Sequence, residues 1–168
     1  MTVRDAQEGD LARILEIYNE VIATSTAIYR DAPATLDDRL AWWRARREAG
    51  YPTLVADEGG TVLGFATFGD FRPWPGYRFT VEHSVHVHRD HRGRGVGTAL
   101  MHPLIEWANT LGKHVMIAGV DADNRASIAF HERLGFERVA HFREVGFKFG
   151  RWLDLVFLQK LLTGSAKC

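Results

Sequence analysis

The run R-D-H-R-G-R-G-V-G-T at residues 89–98 is the segment best equipped for chemistry. Gly93, Gly95 and Gly97 alternate with other residues, Arg92 and Arg94 stand among them, and an apolar pattern with helical spacing follows at once. Glycine has no Cβ, so alternating glycines let the backbone come close to a ligand. The N–H groups of such a turn add to the free N–H groups and positive dipole end of the following helix. Together they make a cradle for phosphate oxygens, to which Arg92 and Arg94 add positive charge. A P-loop would need a lysine at its end, but Gly97 is followed by Thr98 and Ala99. A dinucleotide fingerprint would need a third glycine where Thr98 stands, and would usually open a βαβ unit instead of lying in mid-chain. A glycine-rich turn with no ligand is the structural alternative.

His83, His86, His88 and His91 crowd the segment before this loop. On a flat strand His86 and His88 share a face and could share a metal ion. No cysteine and no Asp/Glu-His helix motif completes such a site. Packed or solvated histidines are the expectation, and no metal is expected.

These residues need a scaffold, and the chain has the length for one. Its 168 residues suit a single domain with a sizeable core, and 46% of them are apolar. Lys plus Arg and Asp plus Glu number 21 each, so no net field recruits nucleic acid or a membrane. The first residues lack the apolar run of a leader, and no stretch has the length of a transmembrane helix. The single cysteine is Cys168, which permits no internal disulfide and makes the cytoplasm the expected setting. The expected domain is 1–162, with a disordered tail over 163–168.

Periodicity predicts strands over 2–6, 53–57, 62–68, 80–88, 114–120, 139–145 and 152–158. Helices are predicted from Asp10, as cap, through Ile22, and over 36–49, 96–111 and 124–134. Glu58-Gly59-Gly60 signals a hairpin, and the R-P-W-P-G-Y run at 72–77 reads as loop.

Read from Arg92, the glycine run is Arg-x-x-Gly-x-Gly. Further on, Asn124 and Ser127 precede A-F-H-E-R-L-G-F at 129–136. These two runs, and the element order β-α-α-β-β-β-α-β-α-β-β, resemble the GNAT N-acetyltransferases. The resemblance implies an α/β (α+β) GNAT fold: a mixed central sheet, splayed between its fourth and fifth strands and flanked by about four helices. Acetyl-CoA enters that gap. The runs T-V-E-H-S-V-H-V, F-G-D-F-R-P-W-P-G-Y, G-K-H-V-M-I-A-G and V-G-F-K-F-G-R-W-L-D-L are similar to one branch, the phosphinothricin and methionine sulfoximine (methionine sulfone) acetyltransferases. The similarity runs from Val3 to about Gln159.

Carried across, the resemblance puts Arg72, Pro73 and Trp74 on the substrate, with Glu82, His83 and Ser84 as the other wall. Val85, His86 and Val87 would meet the acetyl-pantetheine arm through backbone groups. Arg92, Gly93, Arg94, Gly95, Val96, Gly97 and Thr98 would hold the pyrophosphate. Asn124, Ser127 and His131 would lie further along the coenzyme. Glu82 would accept the proton of the attacking amine. A backbone N–H from Val85–Val87 would stabilise the oxyanion. His131 stands where most of the family has a tyrosine thought to protonate the departing thiolate. Histidine could do the same, or only contact the coenzyme.

The implied activity is acetyl transfer to the α-amino group of small L-amino acids by direct attack, in a cytoplasmic homodimer. The alternatives are a peptide N-terminal or polyamine acetyltransferase, and a non-catalytic acyl-CoA-binding module. Glu82 as a strand-edge charge, Arg72 as a solvated loop arginine and Trp74 as a dimer contact are the structural alternatives for those residues.

Overall fold

The computed structural model describes residues 1–162, so the tail expected over 163–168 lies outside the described residues. The strands are β1 (Thr2–Asp5), β2 (Thr53–Glu58), β3 (Thr61–Asp70), β4 (Thr80–Val87), β5 (Val115–Asp121), β6 (Glu137–Lys148) and β7 (Arg151–Leu161). The helices are α1 (Leu11–Thr24), α2 (Leu36–Glu48), α3 (Val96–Thr110) and α4 (Arg125–Arg133). The seven strands form one sheet in the order β1-β2-β3-β4-β5-β7-β6. β4 and β5 run parallel; every other neighbouring pair is antiparallel.

The sheet is covered on both faces, and the sequence shows why. β3 reads V-L-G-F-A-T-F-G without polar alternation, and all eight of these residues are buried. On one face Val55, Val62 and Phe65 pack with Leu11, Ile14 and Ile17 of α1 and Trp43 of α2. On the other, Leu54, Ala66, Phe68 and Met116 pack with Leu100, Met101 and Leu104 of α3 and Ile128 of α4. Apolar residues recurring three and four apart give α1 and α3 the stripe that this burial requires. No helix among the described residues is long and apolar enough to cross a membrane.

α2 starts on a reciprocal cap. The Asp38 N–H donates to Thr35 Oγ1 (3.1 Å), and the Thr35 N–H donates to Asp38 Oδ2 (2.8 Å). Thr35→Ala is expected to cost about 1 kcal/mol, read as a lowered urea midpoint at constant slope. An unchanged midpoint would show that α2 is held by packing alone.

Three sequence expectations need correction. Asp10 does not cap α1 with its side chain; its carboxylate accepts from the Gln7 N–H (2.7 Å) and from both terminal nitrogens of Arg4 (2.7 and 3.0 Å). A 3-10 turn over Glu8–Asp10 comes first and takes up that capping group. The loop at 72–77 contains a second 3-10 turn, Pro75–Tyr77. β6 and β7 run well beyond 139–145 and 152–158. Register shifts between Arg138 and Ala140 and between Phe142 and Gly146 break the two-residue period, and Glu144 takes φ 54°.

Candidate active site

β4 and β5 pair only over Thr80–Glu82 against Val115–Ile117. Beyond Glu82 they part, while β4 keeps β3 as its neighbour through Val87. The splay opens two cavities along β4.

The first, of about 370 Å³, is lined by Glu82, His83, Ser84, Val85 and His86 of β4, by Gly119 and Asp121 of β5, and by Asn124, Ser127 and His131. Tyr18 of α1, Arg39, Trp42 and Arg46 of α2, and Phe65 of β3 also line it. Glu82, Ser84 and His86 stand opposite Gly69, Thr67 and Phe65 in the β3 register. Burial raises Glu82 above the ordinary carboxylate range, and the charge of Arg72 partly opposes this. Gly119 keeps the place open: a Cβ there would lie 3.1 Å from Glu82 Oε1. A carboxylate so placed keeps its proton to higher pH than an exposed one and, once ionised, can accept a proton.

His83 and His131 stack with ring centroids 5.1 Å apart, packed on Phe136. Burial lowers the pKa of both, and that of His83 falls well below its usual value. His131 Nδ1 lies 2.7 Å from the Ser127 carbonyl. A carbonyl only accepts, so Nδ1 carries the proton and the neutral ring presents Nε2 as an acceptor. That Nε2 and both ring nitrogens of His83 are buried without a partner. Burial, with the charges of Arg92 and Arg39, pushes His86 down to about 4. No group of three His, Cys, Asp or Glu among the described residues could hold a metal ion.

The second cavity, of about 540 Å³, is lined by Val85, Val87, Arg92, Gly93, Gly95, Val96, Gly97 and Thr98, with Ser127, Phe130 and Arg133 across from them. Gly95 caps α3 in the left-handed region at φ 79°. Ala99 is the first residue whose N–H closes a helical bond, onto Gly95 O (2.9 Å). The N–H groups of Val96, Gly97 and Thr98 precede that ladder, at the positive end of a 15-residue helix. The arginines are less free than their spacing suggests. Arg92 pairs with Glu20 (3.1 Å) and donates through Nε to Val87 O (3.0 Å). Arg94 pairs with Glu58 (3.1 Å) and does not line the cavity.

Asn124 caps α4, its Oδ1 accepting from the Ser127 N–H (3.0 Å), and both residues line the first cavity. Arg72, Pro73 and Trp74 are exposed and do not line it. Arg72 stacks on Phe71 at 4.4 Å, and Trp74 is 69% exposed. The sequence reading missed Tyr18, Arg39, Trp42, Arg46, Phe65 and Arg133. Arg39, Trp42 and Arg46 did leave a signal, an i, i+3, i+7 stripe on α2 that mixes charge with aromatic rings. It also missed Lys148. This lysine is 1% exposed and donates to the carbonyls of Ile22 (2.6 Å), Ser25 (2.8 Å) and Ile28 (2.8 Å). It thereby pins the segment that brings Ala27 and Ile28 to the cavity wall.

A sheet that opens after its fourth strand, with a glycine cradle on the following helix, defines a class. The chain belongs to the acetyltransferase (GNAT) family, whose profile matches residues 14–136. The L-methionine sulfoximine/L-methionine sulfone acetyltransferase of Salmonella typhimurium is 51% identical over 166 residues, covering 99% of this chain and 97% of the relative. The L-amino acid N-acyltransferase MnaT of Escherichia coli K12 is 50% identical over 159 residues, covering 95% of this chain and 92% of that one. A Salmonella typhimurium structure solved with its cofactor acetyl-CoA superposes with a TM-score of 0.95 at 49% identity, covering 99% of this chain and 96% of that one.

Proposed function

We propose that this protein transfers the acetyl group of acetyl-CoA to the α-amino group of small L-amino acids. The acceptors are methionine sulfoximine, methionine sulfone and phosphinothricin, and the role is detoxification. The observation that carries this is Glu82, a half-buried carboxylate of raised pKa at the point where β4 and β5 part. The names of the two relatives, each about half identical along nearly the full chain, support the acceptor class.

The residues present fit acetyl-CoA. The backbone from Gly93 to Thr98 at the start of α3 suits the pyrophosphate. Arg92 and Arg133 supply charge beside it, while Arg94 acts from outside the cavity. The open edge of β4 at Val85, His86 and Val87 suits the pantetheine amides, with Asn124 and Ser127 across the gap. The buried, unpartnered Nε2 of His131 would offer that arm an acceptor.

The α-amine attacks the thioester carbon, forming C–N. Its proton passes to Glu82, directly or through water. The carbonyl oxygen gains charge against a backbone N–H of Val85–Val87. The C–S bond then breaks and the electron pair leaves on sulfur. A thiol pKa near ~8.5 makes that thiolate a tolerable leaving group. No acid is required of His131, so a contact role suits it better than proton donation.

The attacking group must be free amine and the base ionised, so kcat/KM rises with pH through the raised pKa of Glu82. Arg72 holds that pKa down. Arg72→Ala is therefore expected to move the acidic limb of the profile to higher pH. A limb that stays in place would separate Arg72 from the base. Arg72, Pro73 and Trp74 lie outside the cavity lining, and their part in reading the polar end of the side chain rests on the family resemblance and on the charge of Arg72 felt at Glu82.

A polyamine is a poor fit, because the cavity presents two arginines and the chain has no net charge. We also propose a cytoplasmic homodimer. Val145, Phe147, Phe149 and Trp152 are each more than half exposed on the β6–β7 hairpin, and Trp74 is exposed as well. Sedimentation velocity tests the dimer. Mass spectrometry of the product from methionine sulfone tests the reaction: one acetyl group on the α-nitrogen is expected, and acetylated protein with free amino acid would contradict direct attack.

A further inference from the structure

Arg39 is 8% exposed, and its Nε has no hydrogen-bond partner. A buried guanidinium is costly unless something compensates it. Neighbouring Asp38 favours its charge but makes no hydrogen bond to it, accepting instead from Thr35 and lying 3.8 Å from Arg30. Arg39 is instead held by aromatic faces, its central carbon 4.1 Å from the Tyr18 ring centroid and 4.7 Å from that of Trp42. Stacking of this kind orients a guanidinium, and although Tyr18 also engages it, Nε is left without a partner. Tyr18, Trp42 and Arg39 line the same cavity as Glu82.

Arg46, two turns along α2, is less buried but reaches the sheet. A Cβ on Gly69, the register partner of Glu82, would lie 2.4 Å from Arg46 Nη1. Asp70 lies close enough to Arg46 to favour its charge. Arg39 thus offers a planar, preoriented fork inside the acceptor cavity to an anion that the ligand brings.

We propose that Arg39 binds the α-carboxylate of the acceptor, so that the pocket selects free amino acids over amines and peptides. The inference rests on the amino-acid reading of the site. An α-carboxylate is one carbon from the attacking nitrogen, so its receptor must share a cavity with the base, as Arg39 and Glu82 do. A peptide has a neutral amide at that position and would leave the cation without a partner.

Methionine sulfone and its carboxamide separate these cases, compared by kcat/KM in the parent protein, Arg39→Gln and Arg39→Lys. The parent should prefer the acid by about tenfold or more, as loss of a charged hydrogen bond implies. Arg39→Gln should remove that preference by lowering the acid alone. Arg39→Lys should fall between the two, keeping the charge without the fork. The acetyl-CoA dissociation constant, by calorimetry, should not change, which shows that each variant is folded. If Arg39→Gln does not fold, the parent ratio and Arg39→Lys still decide. Equal turnover of acid and carboxamide by the parent overturns the assignment, as does an equal loss of both in a variant. Parent protein that binds acetyl-CoA yet acetylates neither compound removes the amino-acid reading, and this assignment with it.

Discussion

Glu82→Gln is expected to lower kcat by ~100-fold or more, the usual cost of losing a general base, with little change in acetyl-CoA affinity. The amide keeps the shape of the carboxyl and cannot take the proton. Gly119 already accommodates an oxygen of this side chain, so the substitution introduces no new bulk. The loss should shrink at high pH, where more of the amine arrives deprotonated. A variant with the parent kcat and the parent pH profile would make Glu82 a strand residue and leave proton removal to water.

Gly95→Val is expected to weaken acetyl-CoA binding by roughly one to two decades, the equivalent of one lost charged hydrogen bond. Gly95 sits at φ 79°, where a β-branched residue is a genuine outlier. Relief of that strain turns the peptide at the start of α3 and carries the N–H groups of Val96 and Gly97 away from the phosphate position. A Cβ at Gly95 meets nothing within 4 Å, so the core is untouched and the protein should fold. Calorimetry showing parent affinity in the folded variant would remove the phosphate assignment of this loop.

Much of this was legible in the sequence because glycines and caps act locally. The glycine turn at 93–98, the helix from about residue 124 and the Glu58-Gly59-Gly60 hairpin each follow from short-range rules. The apolar stripes of α1 and α3 set which face each helix buries. What escaped is non-local. Arg39 and Arg46 look like ordinary surface arginines until α2 packs over β3 and turns them toward Glu82. Lys148 is distant in sequence from the carbonyls of Ile22, Ser25 and Ile28 that it binds. The pairing of Arg92 with Glu20 and of Arg94 with Glu58 joins residues far apart along the chain. The extent of β6 was hidden by its bulges, and the Asp10 side chain was claimed by Arg4 instead of α1.

The most direct test of the central claim is steady-state thiol release from acetyl-CoA across a panel of acceptors. Methionine sulfoximine, methionine sulfone and phosphinothricin would be compared with spermidine and with peptides bearing free N-termini. The site described here predicts that kcat/KM for methionine sulfoximine or sulfone stands well above that for spermidine and for every peptide. A peptide or polyamine that wins by a wide margin would contradict the acceptor assignment while leaving the family intact.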